Sequence, residues 1–170
     1  MGNLIYNSKS KELASLSNGA TSVLYHVILL SGSKIAKNNW EKRFLIWIAE
    51  RDQSVVGLGI VGFDVTKLEW TTKEFEQQKS FIMKTIQLSL DNNEWKNLPY
   101  NPSEEIIQTK LTETLDVFKS LKIEHISTQE RMWYNKPDEF DLNEICEIHN
   151  IYLNKLHPEP KSRCQLCNFT

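Results

Sequence analysis

The sequence lacks the charge excess and the long apolar run that mark several classes of protein. Its 20 Lys and Arg residues are outnumbered by 22 Asp and Glu residues, so the formal net charge is -2. Sequence-independent binding to nucleic acid or to a membrane surface needs a basic excess, which this chain does not have. The longest apolar run, Val23 to Leu30, contains His26 and is far shorter than the roughly 20 residues of a membrane-spanning helix. We therefore expect no membrane partner and do not expect nucleic acid.

Two further absences concern targeting and cysteine usage. The N-terminus, Met1 to Tyr6, has no basic segment followed by an apolar one, so it does not match a secretory signal and we expect a cytoplasmic protein. No cysteine precedes Cys146. The three cysteines of the chain lie near its end in a paired spacing, which favours a metal over a disulfide.

The features that are present indicate a globular protein of one ordinary domain. With 170 residues, 40% of them hydrophobic and 25% charged, the chain can bury a sizeable core and is too apolar to be largely disordered. Its charge is unevenly distributed, because residues 71–145 contain nine Lys and Arg against fourteen Asp and Glu, a local net charge of -5. A charged partner attracted to this part of the chain should be basic.

Local patterns predict four helices. Three of their starts share the arrangement of a capping box, in which a cap residue stands three positions before a glutamate. These starts are Asn38 with Glu41, Thr71 with Glu74, and Asn101 with Glu104. Apolar residues at helical spacing follow each start, and we assign them to the core. A further helix is predicted from Ala20 to Gly32.

The end of the chain contains two pairs of metal-binding side chains. Cys146 and His149 form the first pair, Cys164 and Cys167 form the second, and fourteen residues separate the pairs. A structural zinc ion takes four such ligands in a tetrahedron, and two ligands three positions apart on a tight turn can point at one ion. We predict one structural zinc ion here, because a closed shell of four protein ligands leaves no position for a substrate.

Residues around the two pairs bear on this prediction. Asn150 and Asn168 each follow the second ligand of a pair, where such turns often require a left-handed backbone that Asn and Gly tolerate best. His157 is a spare ligand that could replace His149. The alternative is that the cysteines are free thiols and the histidine is a solvent-exposed side chain.

The paired arrangement resembles a zinc ribbon over the tail alone, and the resemblance implies zinc binding with no particular activity.

Short extended segments are expected over Ser54 to Val65 and over Lys122 to Ser127. The predicted fold class is α+β: a helix-rich single domain of four to five helices with few short strands and a zinc-ribbon-like C-terminal element. We expect a globular domain over residues 1–127, an acidic linker or loop over residues 128–145 and a zinc-binding tail over residues 146–170.

A glycine pattern in the middle of the chain matches a nucleotide-binding motif only in its spacing. Gly57, Gly59 and Gly62 spell G-x-G-x-x-G. That motif requires a preceding strand and a helix that opens at the last glycine, so that a pyrophosphate meets the helix N-terminus. Here a helical stripe precedes it and the next helix is predicted only at Thr71, so we expect no dinucleotide cofactor. Close backbone packing or a bulge explains the glycines better.

The run from Gly57 to Asp64, together with the tail ligands, is similar in overall character to small single-domain bacterial proteins of uncharacterised function. Among these are immunity-type proteins encoded beside interbacterial toxins. The resemblance implies a non-catalytic protein that binds a basic toxin domain and blocks its active site. The residues that would contact the toxin are Asp138, Glu139, Asp141 and Glu144. A solvated acidic loop is the plainer interpretation of these four residues.

Two other classes of function stay open. One is a nucleic-acid-binding regulator that uses the tail cations Lys155, Lys161 and Arg163, although the tail's net charge is only +1. The other is an enzyme with a site assembled from scattered polar residues. A pocket in which such residues share hydrogen bonds would favour the enzyme. The candidates for that pocket are His26, Asp52, Asp64 and His125. We expect no catalytic residue and no cofactor other than zinc.

Overall fold

The computed structural model describes residues 3–51, 62–91, 94–128, 141–155 and 163–169. Within these residues the chain forms four α-helices and a small three-stranded sheet, which confirms the predicted α+β class. The helices are α1 (Asn18–Ile35), α2 (Asn39–Glu50), α3 (Phe75–Leu90) and α4 (Glu104–Ser120). The strands are β1 (Asn3–Tyr6), β2 (Leu13–Leu16) and β3 (Phe63–Asp64).

Strand β1 lies in the middle of the sheet. It pairs with β2 in an antiparallel hairpin and with β3 in parallel, so that Ile5 stands opposite both Ala14 and Phe63. A parallel pair needs a long crossover connection, and here α1 and α2 lie between the two strands. The face that carries Ile5 and Ala14 is fully buried, so the sheet covers one side of the helices.

Helix α1 is longer than the sequence predicts. The Ser17 side chain accepts a hydrogen bond from the amide of Ala20 at the N-terminus, and the helix continues to Ile35. The prediction that it ends at Gly32 is wrong. A Cβ at Gly32 would lie 2.5 Å from a methyl group of Leu45, so the glycine allows α1 and α2 to pack closely rather than ending the helix.

Of the three predicted capping boxes, one is present. Asn38 accepts from the amide of Glu41, and the Glu41 carboxylate accepts from the amide of Asn38. The predicted starts at Thr71 and Asn101 are wrong, because α3 and α4 begin only at Phe75 and Glu104. The Thr71 hydroxyl bonds to the side chains of Glu74 and Gln78 instead of to a helical amide.

The apolar stripes of the helices form one core, as predicted. Trp40 stacks on Phe44 with ring centroids 5.8 Å apart, and Trp70 lies against Trp40 at 5.4 Å. The buried indole nitrogens have partners, since Trp40 donates to the carbonyl of Glu69 and Trp70 donates to that of Val65. Buried aromatic residues therefore add packing area without leaving a polar group unsatisfied.

The segment around the glycine motif is described from Gly62 onward, and Gly57 and Gly59 lie outside the described residues. Strand β3 and a 3₁₀ turn follow Gly62, so no helix opens there and the requirement of the nucleotide-binding motif is not met. The guanidinium of Arg51 donates to the Gly62 carbonyl and lies 4.5 Å from the ring centroid of Trp47, which joins the end of α2 to the start of β3.

The predicted strand over Lys122 to Ser127 is wrong. Residues Ile123–His125 form a 3₁₀ turn instead, and the amide of Ser127 donates to the carbonyl of Thr66. A 3₁₀ turn closes hydrogen bonds between residues three apart, so this short segment satisfies its backbone without a neighbouring strand. Its place after α4 brings His125 to the end of the sheet, beside Asn7.

The C-terminal residues pack on the helical part of the chain. Buried apolar residues of the tail, Ile151 and Leu166 among them, belong to the same hydrophobic cluster as the cores of the four helices. Residues 129–140 of the predicted acidic linker lie outside the described residues. The division of the chain at residues 128 and 146 therefore stays a prediction. No helix in the described part of the chain combines the length and the apolar character needed to cross a lipid bilayer.

The close approach of Gly62 to β1 can be tested by adding a single methyl group. In Gly62→Ala the new Cβ would lie 2.3 Å from the carbonyl oxygen of Leu4 and 2.4 Å from its amide nitrogen. Backbone atoms cannot rotate away as a side chain can, so β1 has to shift. We expect the free energy of unfolding to fall by about 2–3 kcal/mol, measured by urea denaturation.

The control for this substitution is Gly19→Ala. A Cβ at Gly19 would have no atom within 4 Å, and the residue lies in the first turn of α1. Alanine is favoured over glycine in helices, so we expect this variant to be unchanged or up to about 1 kcal/mol more stable. Equal urea midpoints for the two variants would contradict the close packing of Gly62 against β1.

Candidate metal centre

A short hairpin positions the first ligand pair. Ile145 and Tyr152 form an isolated antiparallel bridge, and inside it the amide of Cys146 donates to the carbonyl of Ile151 at 2.8 Å. The amide of Asn150 then donates to the carbonyl of Cys146, which closes a tight turn. Asn150 has a φ of 53°, so the predicted left-handed backbone is confirmed at this position.

A different turn positions the second pair. Leu166–Phe169 is a 3₁₀ turn, and the amide of Asn168 donates to the carbonyl of Gln165. Asn168 belongs to this right-handed turn, so the prediction of a left-handed backbone there is wrong.

The two turns bring the four predicted ligands together. The Nδ1 atom of His149 lies 3.6 Å from the Sγ of Cys146, 3.5 Å from that of Cys164 and 3.5 Å from that of Cys167. The Sγ atoms of Cys146 and Cys167 are 3.6 Å apart, which is too far for a disulfide bond of about 2.05 Å. All four donor atoms lie within 4.8 Å of one another, an arrangement that can hold a metal ion.

The surroundings shift the pKa values of the four side chains in different directions. Burial acts to raise the pKa of Cys146, but hydrogen bonds from the amides of His149 and Ile148 bring it below its ordinary value. Burial raises the pKa of Cys164 and of Cys167, and the neighbouring Cys146 thiol adds to this rise. Burial lowers the pKa of His149, which favours the neutral imidazole that a metal requires.

Polar contacts fasten the site to helices α1 and α2. The Gln165 side chain donates to the carbonyl of Ala49, and the amide of Lys155 donates to the carboxylate of Glu50. The amide of Tyr152 donates to the hydroxyl of Ser33 in α1. The fully buried Ile151 and Leu166 of the tail lie in the common core, so both turns are attached to the body by apolar contacts as well.

An ion-pair cluster lies beside the ligands. The guanidinium of Arg163 donates from two nitrogens to the two carboxylate oxygens of Glu144, both at 2.7 Å, and the ammonium of Lys155 donates to Glu144 at 2.6 Å. Hydrogen bonds from Arg163 and then from Lys155 lower the pKa of Glu144 to about 2. Sequence reasoning did not predict this cluster, although opposite charges next to both ligand pairs were a visible signal.

The structure describes two of the four residues that were predicted to contact a basic partner. Asp138 and Glu139 lie outside the described residues. Asp141 is exposed and its carboxylate accepts from the amide of Asn143, whereas Glu144 is occupied by Arg163 and Lys155. A partner contact at these four residues stays a prediction.

Two of the three tail cations assigned to nucleic-acid binding are largely buried. The Lys155 side chain is 3% exposed and that of Arg163 is 14% exposed, each in contact with Glu144. A cation that binds nucleic-acid phosphates needs access to them, and these two side chains have little. Lys161 lies outside the described residues.

The structure describes three of the four polar residues considered for an enzyme, and no hydrogen bond joins any two of the three. His26 is fully buried and its Nδ1 bonds to the Tyr100 hydroxyl, so it is a hydrogen-bonded core histidine. Asp64 accepts from the amides of Ser8 and Thr66, and no hydrogen bond joins it to His125. Asp52, the fourth enzyme candidate, lies outside the described residues.

Comparisons with protein-family models, with curated proteins and with solved structures found no match for this chain. The resemblances to a zinc ribbon and to immunity-type proteins therefore stay predictions. The case for a metal centre depends on the geometry of the four side chains and on the contacts that hold them in place.

The Glu50 carboxyl gives a pH-dependent test of how the tail is attached. Burial raises the pKa of Glu50 from 4.5 to about 7, against the opposing effects of the Lys155 amide and charge. The native state therefore binds this proton more tightly than the unfolded chain, and the free energy of unfolding falls as the pH rises from 4.5 to about 7. Glu50→Gln keeps an acceptor for Lys155 and removes the charge.

We expect Glu50→Gln to be more stable than the wild type at pH 8 by on the order of 2–3 kcal/mol, because the wild type must then bury a charged carboxylate. At pH 5 the difference should be much smaller, since the native carboxyl is protonated. Urea denaturation of metal-saturated protein at both pH values measures the effect. Glu12→Gln, at an exposed position, is the control and should show no such pH dependence. A difference that is the same at both pH values would contradict the assignment.

Proposed function

We propose that Cys146, His149, Cys164 and Cys167 bind one zinc ion, and that this ion is structural. The observation that supports the proposal is the separation of the donor atoms. Zinc bonds of about 2.3 Å to sulfur and about 2.0–2.1 Å to nitrogen, at tetrahedral angles, place sulfur atoms about 3.8 Å apart and sulfur and nitrogen about 3.5–3.6 Å apart. In the structure the distances are 3.6 Å for the Sγ atoms of Cys146 and Cys167 and 3.5–3.6 Å from Nδ1 of His149 to the three sulfurs.

The donor set suits zinc in its chemistry as well as in its dimensions. Three thiolates and one imidazole form one of the usual structural zinc sites. Amides that donate to Cys146 favour its thiolate, and burial keeps His149 neutral, so two of the four ligands already favour the state that binds the ion. Zinc binding would displace the protons from Cys164 and Cys167.

A structural role follows from the number of ligands and from what they connect. Four protein ligands fill the tetrahedral shell, and a catalytic zinc site keeps one position for water or substrate. The ligands come from two segments that have little regular structure, a hairpin with one isolated bridge and a 3₁₀ turn. An ion that joins them can replace the secondary structure that these segments lack.

Purified protein should contain about one equivalent of zinc, and Cys164→Ser should release it. Cys164 is the most deeply buried of the three cysteines, so a serine there removes a ligand that no surface group can replace. We expect the tail of the variant to become sensitive to protease while the four helices remain folded. Elemental analysis, limited proteolysis and far-ultraviolet circular dichroism measure the three effects.

The two histidines of the tail give a matched control. His149→Ala removes a donor that lies within 3.6 Å of all three sulfurs and should lower zinc affinity strongly. His157→Ala should leave zinc content unchanged, because His149 already supplies a fourth donor beside the three sulfurs. Loss of zinc in His157→Ala with retention in His149→Ala would show that the ligand assignment is wrong.

We further propose that this zinc protein acts without catalysis, by binding a protein partner. A zinc shell filled by four protein ligands would leave no position for a substrate, which favours a non-catalytic role. The net charge of -5 over residues 71–145 favours the attraction of a basic protein. A neighbouring gene that encodes a toxin-like domain, and rescue of cells that express that toxin, would support an immunity function. A gel shift with nucleic acid that weakens as salt is added would support the regulator instead.

A further inference from the structure

The Glu144 carboxylate joins the two halves of the metal site. Both of its oxygens accept from Arg163, in the two-pronged geometry that fixes a guanidinium most firmly, and one also accepts from Lys155. Glu144 stands two residues before Cys146, and Arg163 stands immediately before Cys164. The ion pair therefore connects the start of the first ligand pair to the start of the second.

Backbone contacts extend this connection. The amide of Leu153 donates to the carbonyl of Glu144 at 3.3 Å. The amide and the side chain of Asn154 both donate to the carbonyl of Arg163, at 3.1 and 2.7 Å. Residues 153–155 thus lie between Glu144 and Arg163 and contact both, and the buried Lys155 ammonium completes the cluster.

We propose that Glu144 is a positioning residue for the metal site, which holds the two ligand pairs together through Arg163 and Lys155. The inference depends on the proposed zinc function. It assigns to Glu144 an effect on zinc affinity, although the residue donates no atom to the ion.

Glu144 can affect zinc affinity because bringing the two ligand pairs together costs conformational entropy. Fourteen residues separate His149 from Cys164, and an ion that gathers the pairs from a loose chain must overcome the entropy of closing that loop. Contacts that already hold residues 144, 154 and 163 together remove part of this cost before the ion binds. A preorganised site binds more tightly and releases its ligand more slowly.

The test compares two glutamates that flank Cys146. Glu144→Gln removes the charge that holds Arg163 and Lys155 and keeps the shape of the side chain. Glu147→Gln removes the same charge from a position inside the ligand pair, where the carboxylate is exposed and has no hydrogen bond or ion pair to any residue that the structure describes. Zinc affinity is measured by competition with a chromogenic chelator.

We expect Glu144→Gln to weaken zinc binding about 10–100-fold, the range found when groups that orient metal ligands are changed. Glu147→Gln should stay within about twofold of the wild type, because an exposed charge is well screened. Equal affinities for the two variants would overturn the proposal, since the loss would then reflect only the removal of a negative charge near the cation.

Cobalt in place of zinc separates positioning from collapse of the site. At saturating Co²⁺, Glu144→Gln should give the same tetrahedral, sulfur-rich absorption spectrum as the wild type, whereas Cys164→Ser should not. A changed spectrum in Glu144→Gln would overturn the proposal, because the donor set itself would then depend on Glu144. If the wild type binds neither zinc nor cobalt, the proposed function fails, and that result is distinct from equal affinities in the two glutamate variants.

A double-mutant cycle tests whether Glu144 affects zinc affinity through its contact with Arg163. Arg163→Gln should weaken zinc binding as Glu144→Gln does, and the two changes together should cost less than the sum of the separate losses, because both remove the same contact. Fully additive losses would overturn the connection through Arg163. The cobalt spectrum at saturation again verifies that each variant has an assembled site.

Discussion

Four donor atoms from two segments of the tail lie within 4.8 Å of one another. This cluster links a hairpin with one isolated bridge to a 3₁₀ turn, two segments with little regular structure of their own. Ordering each backbone residue costs about 1–2 kcal/mol, and a single isolated bridge with one 3₁₀ turn offsets little of this. Structural zinc supplies on the order of 10 kcal/mol in small domains. The binding free energy of a zinc ion at this point would therefore be large enough to determine whether the two turns keep their relative positions.

The helical body limits how far the tail could move without the ion. Ile151 and Leu166 share the core of the helices, and Gln165 bonds to the last turn of α2 through the carbonyl of Ala49. These contacts act on both segments of the tail, so each has its own attachment to the body. Metal binding at the proposed site would order the two segments relative to each other, while their contacts with the helices determine where both segments lie.

Prediction from the sequence succeeded where the chemistry is local and specific. Two ligand pairs with matching spacing predicted the cluster, and periodic apolar residues predicted the helices. The β-hairpin was missed because polarity does not follow burial along β1: Asn3 is buried and hydrogen-bonded on the same face as Ile5, while Leu4 and Tyr6 are exposed. The continuation of α1 past Gly32 was missed because the reason for that glycine lies in α2, which no local pattern reveals.

Charge balance explains why ionic groups can lie so close to this site. Zinc with three thiolates and a neutral imidazole carries a net charge of about -1. Glu144 with Arg163 and Lys155 carries one negative and two positive charges, a net charge of +1. Buried charges are costly unless opposite charges accompany them, so the cluster and the loaded site compensate each other. A cluster with a net positive charge, next in sequence to both ligand pairs, would therefore lower the electrostatic cost of an anionic zinc centre at the proposed site.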